Sequence, residues 1–153
     1  MLDPFLENLP NANLEDFVYL IERSHNRNLV PVLERLLDGE RTDEELASIL
    51  RALSNIGSAA QRERVLGYLD HPTGYVRLQA ASALRRTGLP ADRDRLIPML
   101  SDPDWWIRYR AAESYIALTR DNDLIQSTID SLTDPYARDI LRHTRSERTW
   151  HLI

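Results

Sequence analysis

The sequence contains no cysteine, so it has no disulfide framework, no thiolate metal site and no thiol nucleophile. It contains no lysine either, since all 19 basic residues are arginine. Schiff-base chemistry and a phosphate-loop lysine are thereby excluded. Glycine is scarce, with 5 in 153 residues, and no phosphate-cradling loop is present. No apolar run is long enough to cross a bilayer, and membrane insertion is not expected. The opening segment "MLDPFLENLP" has neither a basic start nor a continuous apolar stretch. It does not read as a secretory signal, and a cytoplasmic location is expected. Positive charge is short overall. The net charge of −5 argues against a general nucleic-acid binder, because phosphate affinity comes largely from cationic groups.

What is present is an ordinary globular balance, 42% apolar and 28% charged, in a length that makes one domain. Arginine as the sole strong cation suits the surface to carboxylates and aromatic rings, because its planar fork pairs bidentately and stacks.

The chain also copies itself. "LDHPTGYVRLQAASALRRTG" spans 69–88, and "LSDPDWWIRYRAAESYIAL" spans 100–118. Pro72 becomes Pro103, Val76 becomes Ile107, Arg77 becomes Arg108, and Ala80-Ala81 becomes Ala111-Ala112. A weaker copy over 36–57 keeps Leu37, Leu53 and Gly57. A degenerate one over 131–147 keeps Asp134-Pro135 and Arg138, with two residues deleted between them. A period near thirty residues is the signature of a stacked-repeat fold. Each unit reads as two helices. Ile107, Ala111, Tyr115 and Leu118 recur at helical spacing, and Asp ahead of Pro predicts a cap followed by Pro in the first turn. Gly57 and Gly88 suit helix C-terminal positions in the left-handed conformation. Shorter first helices are predicted over 29–37, 61–69, 93–100 and 124–132, with a further helix over 14–23. No sustained period-two alternation predicts a sheet.

Asp-Pro, a short spacer, Val/Ile-Arg, then Ala-Ala and Leu resembles the pattern of HEAT repeats, in particular the short bacterial type called lyase-like. The resemblance covers 69–88 and 100–118 closely, and 29–57 and 124–147 loosely. It implies an all-α, right-handed α-solenoid of about four HEAT-like hairpins, with second helices lining a concave face and an N-terminal capping helix. The boundaries read as one domain: a cap over 1–28, repeats over 29–57, 58–88, 89–120 and 121–149, and a tail over 150–153. The end "ERTWHLI" is apolar for a free terminus. It is expected to fold back on the last repeat, with self-association left open.

Two sets of residues stand out. Arg77 and Arg108 recur one period apart and are expected to form a structural ladder with Asp70 or Asp102, or with backbone carbonyls. The small Ala80, Ala81, Ala111 and Ala112 let helices approach closely. With Val76, Ala80, Ala83 and Leu84 as the buried stripe, the opposite stripe holds Tyr75, Leu78 and Arg86 in one unit and Trp106, Tyr109, Arg110 and Glu113 in the next, with Arg51 upstream. Trp, Tyr and Arg are enriched at interface hot spots, so these eight are expected to bind a peptide or helix of another protein. Trp105 is expected to pack between repeats.

A catalytic or metal constellation does not emerge. Asp139 and His143 stand one helical turn apart without a third ligand at suitable spacing, so neither metal nor cofactor is expected. No Gly-flanked serine accompanies a histidine and an acid. Glu44-Glu45 and Asp92/Asp94 read as helix starts, where acids favour the dipole. The reading is a non-enzymatic scaffold or adaptor. Two alternatives come from fold resemblance alone: a DNA glycosylase using Trp106, Tyr109 and Glu113, and an accessory subunit of a chromophore-lyase-like enzyme.

Overall fold

Apolar residues at helical spacing, punctuated by short caps, make helices almost throughout residues 13–150, which the computed structural model describes. Residues 1–12 of the expected cap and 151–153 of the expected tail lie outside the described residues. The helices are α1 (Leu14–Ser24), α2 (Val30–Leu37), α3 (Asp43–Ile56), α4 (Arg62–Leu66), α5 (Gly74–Thr87), α6 (Arg93–Leu96), α7 (Trp105–Thr119), α8 (Asn122–Ser131) and α9 (Pro135–Trp150). The described residues contain no strand. The fold is an all-α solenoid.

The caps explain the boundaries. Thr42 and Glu45 form a reciprocal capping box at α3. Asn13, Asp104 and Asp121 accept from the first free N–H groups of α1, α7 and α8. Pro98 has no N–H to continue α6, and the chain tightens into a 3-10 turn over Ile97–Ser101.

Two local expectations need correction. Asp102-Pro103 does not start α7. The cap is Asp104, and Pro103 lies just before it. In the last unit the expectation does apply: the Asp134 side chain accepts from Tyr136 N–H at 2.9 Å, and Pro135 is the first helical residue. Gly57 and Gly88 are not left-handed. Both are extended, with φ of −70° and −77°. Glycine is needed there for space, because a Cβ would lie 2.5 Å from the Leu53 carbonyl oxygen and 2.7 Å from that of Leu84. The left-handed caps are His25 and Arg120, at φ 50° and 54°. At the C-terminal end α9 continues through Trp150, and the remainder of the expected tail lies outside the described residues.

The long helices α1, α3, α5, α7 and α9 stack in that order, and each short helix packs on the long helix that follows it. Close stacking needs small side chains. Ala80, Ala81, Ala83, Ala111 and Ala112 are completely buried. Ser114 sits in the same joint and donates to the Ala81 carbonyl at 2.6 Å, which satisfies a buried hydroxyl across two helices. Tyr115 is buried as well, its hydroxyl 2.7 Å from Thr128 Oγ1 on α8.

Polar staples join the short-helix layer. Gln61 reaches back to Glu34 at 3.0 Å, and Arg64 pairs with Asp38. Arg62 of α4 binds the buried Asp92 just before α6, with Nε 2.6 Å and Nη2 2.5 Å from the carboxylate. That contact holds the Asp92 carboxyl below its ordinary value, against the opposing cost of burial.

The outer side of α9 presents Arg142, Ser146 and Asp139, a polar face suited to a terminal unit.

Candidate functional site

Each long helix begins with a cap, so positions can be counted from it. The second helical residue is Glu44 in α3, Tyr75 in α5, Trp106 in α7 and Tyr136 in α9. Stacking brings these into one row along the rim. Tyr75 donates its hydroxyl to Glu44 at 3.0 Å. Burial, and then that carboxylate, push the Tyr75 phenol above its ordinary value, so it stays a neutral donor at physiological pH. Trp106 is 57% exposed and Tyr136 69%.

Around Trp106 the rings cluster. Trp105 stacks on Tyr109 with centroids 5.2 Å apart and planes 7° apart. Trp106 stands edge-on to Trp105 at 4.9 Å and to Tyr109 at 6.4 Å. Both geometries are favourable for ring quadrupoles. Trp105, expected to pack between repeats, does face α9 but is not sealed there. As the first residue of α7 it sits at the rim, 43% exposed, and borders a small hollow with Arg108, Tyr136 and His143. The Arg108 guanidinium lies over the Tyr136 ring at 5.4 Å.

One turn further along, Tyr109 donates to Glu147 of α9 at 3.1 Å, and burial raises its phenol too. Leu78 is half-buried against the core rather than standing free on the surface. The three arginines expected to meet a partner all have internal contacts. Arg110 pairs with Glu113 at 2.8 Å, Arg51 with Glu22 of α1 at 3.2 Å, and Arg86 donates to the Ser54 carbonyl at 3.2 Å. Arg51 and Arg86 thereby join neighbouring long helices, whereas the Arg110 pair lies within α7.

The expected ladder is rearranged. Arg77 pairs with Asp102 at 3.0 Å across the repeat joint, and its Nη1 also donates to the carbonyls of His71 and Pro72. Arg108 donates to the carbonyls of Asp102 and Pro103 in its own loop, at 2.8 and 3.1 Å. Asp70 takes no part: it is exposed and has no ion pair among the described residues. Its counterpart one period on, Ser101, donates to Asp134 and lowers that carboxyl. One period before Asp102 stands His71, which accepts from Thr73 N–H at 3.1 Å and faces Asp43 at 3.7 Å.

Sequence reading missed two features. Tyr136 belongs to the aromatic row, and the cap count finds it where matching by proline does not. A larger hollow of about 1030 Å³ opens beside Tyr109 and Glu113, bordered by Arg85, Arg86, Arg120 and Arg148. Among the described residues, no group of three or more His, Asp or Glu side chains could hold a metal ion. No described helix is long and apolar enough to cross a membrane.

A family model described as HEAT repeats matches residues 29–116 and, in a second register, 64–145. No curated protein matches the chain.

Proposed function

Because the chain belongs to the HEAT-repeat family, whose members are commonly protein-interaction scaffolds, we propose that it is a non-enzymatic adaptor that holds a peptide or helix of a partner protein against its long helices. The observation that carries this reading is the exposed Trp105–Trp106 pair clustered on Tyr109. Trp105 and Trp106 stand half in water against the partly buried Tyr109, and such rings are costly to leave bare and cheap to cover. Tyr75 and Tyr136 extend the patch to either side, and Arg86, Arg110 and Arg51 border it. Leu78 adds apolar contact beneath, and Glu113 fixes Arg110. The proposed setting is a soluble protein of the cytoplasm, built as one solenoid domain and working without cofactor or nucleic acid.

The test is direct. Affinity purification from native cells identifies the partner, and the same capture is repeated with Trp106→Ala/Tyr109→Ala. Both rings lie outside the alanine joint, so circular dichroism stays helical while capture is lost. Undiminished capture by the double variant would place the partner elsewhere. The DNA glycosylase alternative makes a different prediction, base release from alkylated duplex, and Glu113 ion-paired to Arg110 does not favour it.

A further inference from the structure

The hollow beside Tyr109 carries a charge pattern that points to the chemistry of the partner. Resting on the reading of the long-helix face as a partner surface, we propose that the bound segment is acidic. Its carboxylates seat on Arg85, Arg86, Arg120 and Arg148, and an apolar residue of the same segment rests on Trp106 and Tyr109.

Three observations support this. First, four arginines border the hollow against two glutamates, in a chain whose net charge is −5. Positive potential is thus gathered at one place on a molecule that is negative elsewhere. An acidic segment is steered to the hollow and repelled from the remainder. Second, the glutamates are already engaged, Glu113 by Arg110 at 2.8 Å and Glu147 by the Tyr109 hydroxyl at 3.1 Å. The arginines are less so. The Arg85 and Arg120 side chains are exposed and have no hydrogen-bond or ion-pair partner among the described residues. Arg86 and Arg148 each give one donor to a carbonyl, Ser54 and Ile116. Third, the arginines lie at the C-terminal ends of α5, α7 and α9. A single cation offsets the partial charge of one helix end. Two arginines at the end of α5, with two more converging from α7 and α9, exceed that need.

The fold also sets a spacing. Trp106 and Arg120 lie at opposite ends of α7, about 21 Å apart along its axis at the rise of an α-helix. An extended segment covers that distance in about six residues. The recognised sequence therefore places its apolar anchor about six residues from its acidic cluster. A nucleic acid is disfavoured, since a long polyanion would meet the acidic remainder of the surface.

The test uses a phage-displayed random dodecapeptide library selected on the immobilised full chain at physiological salt. Enriched peptides are labelled and titrated by fluorescence anisotropy against three proteins: wild type, Arg85→Gln/Arg120→Asn, and Trp106→Ala/Tyr109→Ala. The arginine variant spares the fold, because neither side chain has an internal partner and asparagine accepts the left-handed backbone of Arg120. The expected result is enrichment of Asp and Glu at the stated distance from an apolar residue. The arginine variant then binds about tenfold to a hundredfold more weakly, and binding weakens further as salt rises. Acid-free peptides, or acidic peptides that bind the arginine variant undiminished, overturn the inference. If such peptides still lose affinity for the aromatic variant, the reading of the face survives without it. If no peptide is enriched, or binding ignores both variants, both readings fall.

Discussion

The Arg62–Asp92 staple predicts an unequal response to losing either partner. Asp92 is 3% exposed and accepts three bonds: from Arg62 Nε at 2.6 Å, Arg62 Nη2 at 2.5 Å and Leu89 N–H at 2.7 Å. The Arg62 side chain is 25% exposed and also reaches Glu63. Asp92→Ala removes the buried charge along with its bonds and lets Arg62 turn to water and Glu63. Its cost is about 2 kcal/mol, set by the charge-assisted bonds and the orphaned Leu89 N–H. Arg62→Ala instead leaves a carboxylate buried without its cation, at about 3–4 kcal/mol. The double variant then costs close to Asp92→Ala alone, a strong coupling between the two sites. In a chain of this length the single variants lower Tm by about 4–8 °C and about 6–16 °C respectively.

The pH dependence has a definite sign. The folded Asp92 pKa is depressed, so the contact contributes fully above the unfolded carboxyl value of 3.8 and is lost as pH falls below it toward the folded value. Urea unfolding of wild type and Asp92→Asn, followed by circular dichroism from neutral pH to about pH 3, should show a constant gap that shrinks below about pH 4. A gap unchanged through the acid range, or Arg62→Ala milder than Asp92→Ala, would refute the reasoning.

Two further predictions concern packing. Ala111→Leu forces three extra carbons into a joint that is fully closed and should cost about 1–3 kcal/mol, whereas Ala117→Leu on the partly exposed face should be nearly neutral in the same urea titration. Gly88→Ala should lower Tm by several degrees, because the new Cβ meets the Leu84 carbonyl at 2.7 Å and Leu118 Cδ1 at 3.0 Å. Gly67→Ala, with φ −64° and its nearest atom at 3.4 Å, should be neutral or raise stability by about 0.4–1 kcal/mol.

The repeat made the helices and their buried stripe legible, since apolar spacing and small residues answer directly to helix packing. Register at the joints was harder to read. Proline marked the match between units, but Pro72 and Pro103 precede the helix cap while Pro135 follows it. Counting from the caps aligns Asp134 with Asp104 and needs no deletion within the helix. Tyr136 then falls into the row with Trp106, and Arg138 into that of Arg77 and Arg108. The glycines were assigned by their frequent left-handed use, while here crowding by a carbonyl decides. The arginine hollow was hidden for a different reason. Its side chains come from three helix ends, and no single period brings them together in the sequence.

The division of labour among positions makes the functional tests interpretable. Stacking rests on the alanine joint, on Ser114 bonded to the Ala81 carbonyl, and on the polar staples between short helices. None of these involves Trp105, Trp106, Arg85 or Arg120. A solenoid holds each unit through its neighbours, so side chains outside the joints can vary at small cost to the whole. Tyr109 is the exception, because its hydroxyl bridges α7 to α9 through Glu147. Tyr109→Phe separates its two roles: it keeps the ring and loses only the bridge, about 0.5–1.5 kcal/mol. A partner that covers the ring should bind Tyr109→Phe almost as well as wild type and fail on Tyr109→Ala. Equal loss in both variants would mean that the α7–α9 bridge matters for binding and the aromatic surface does not.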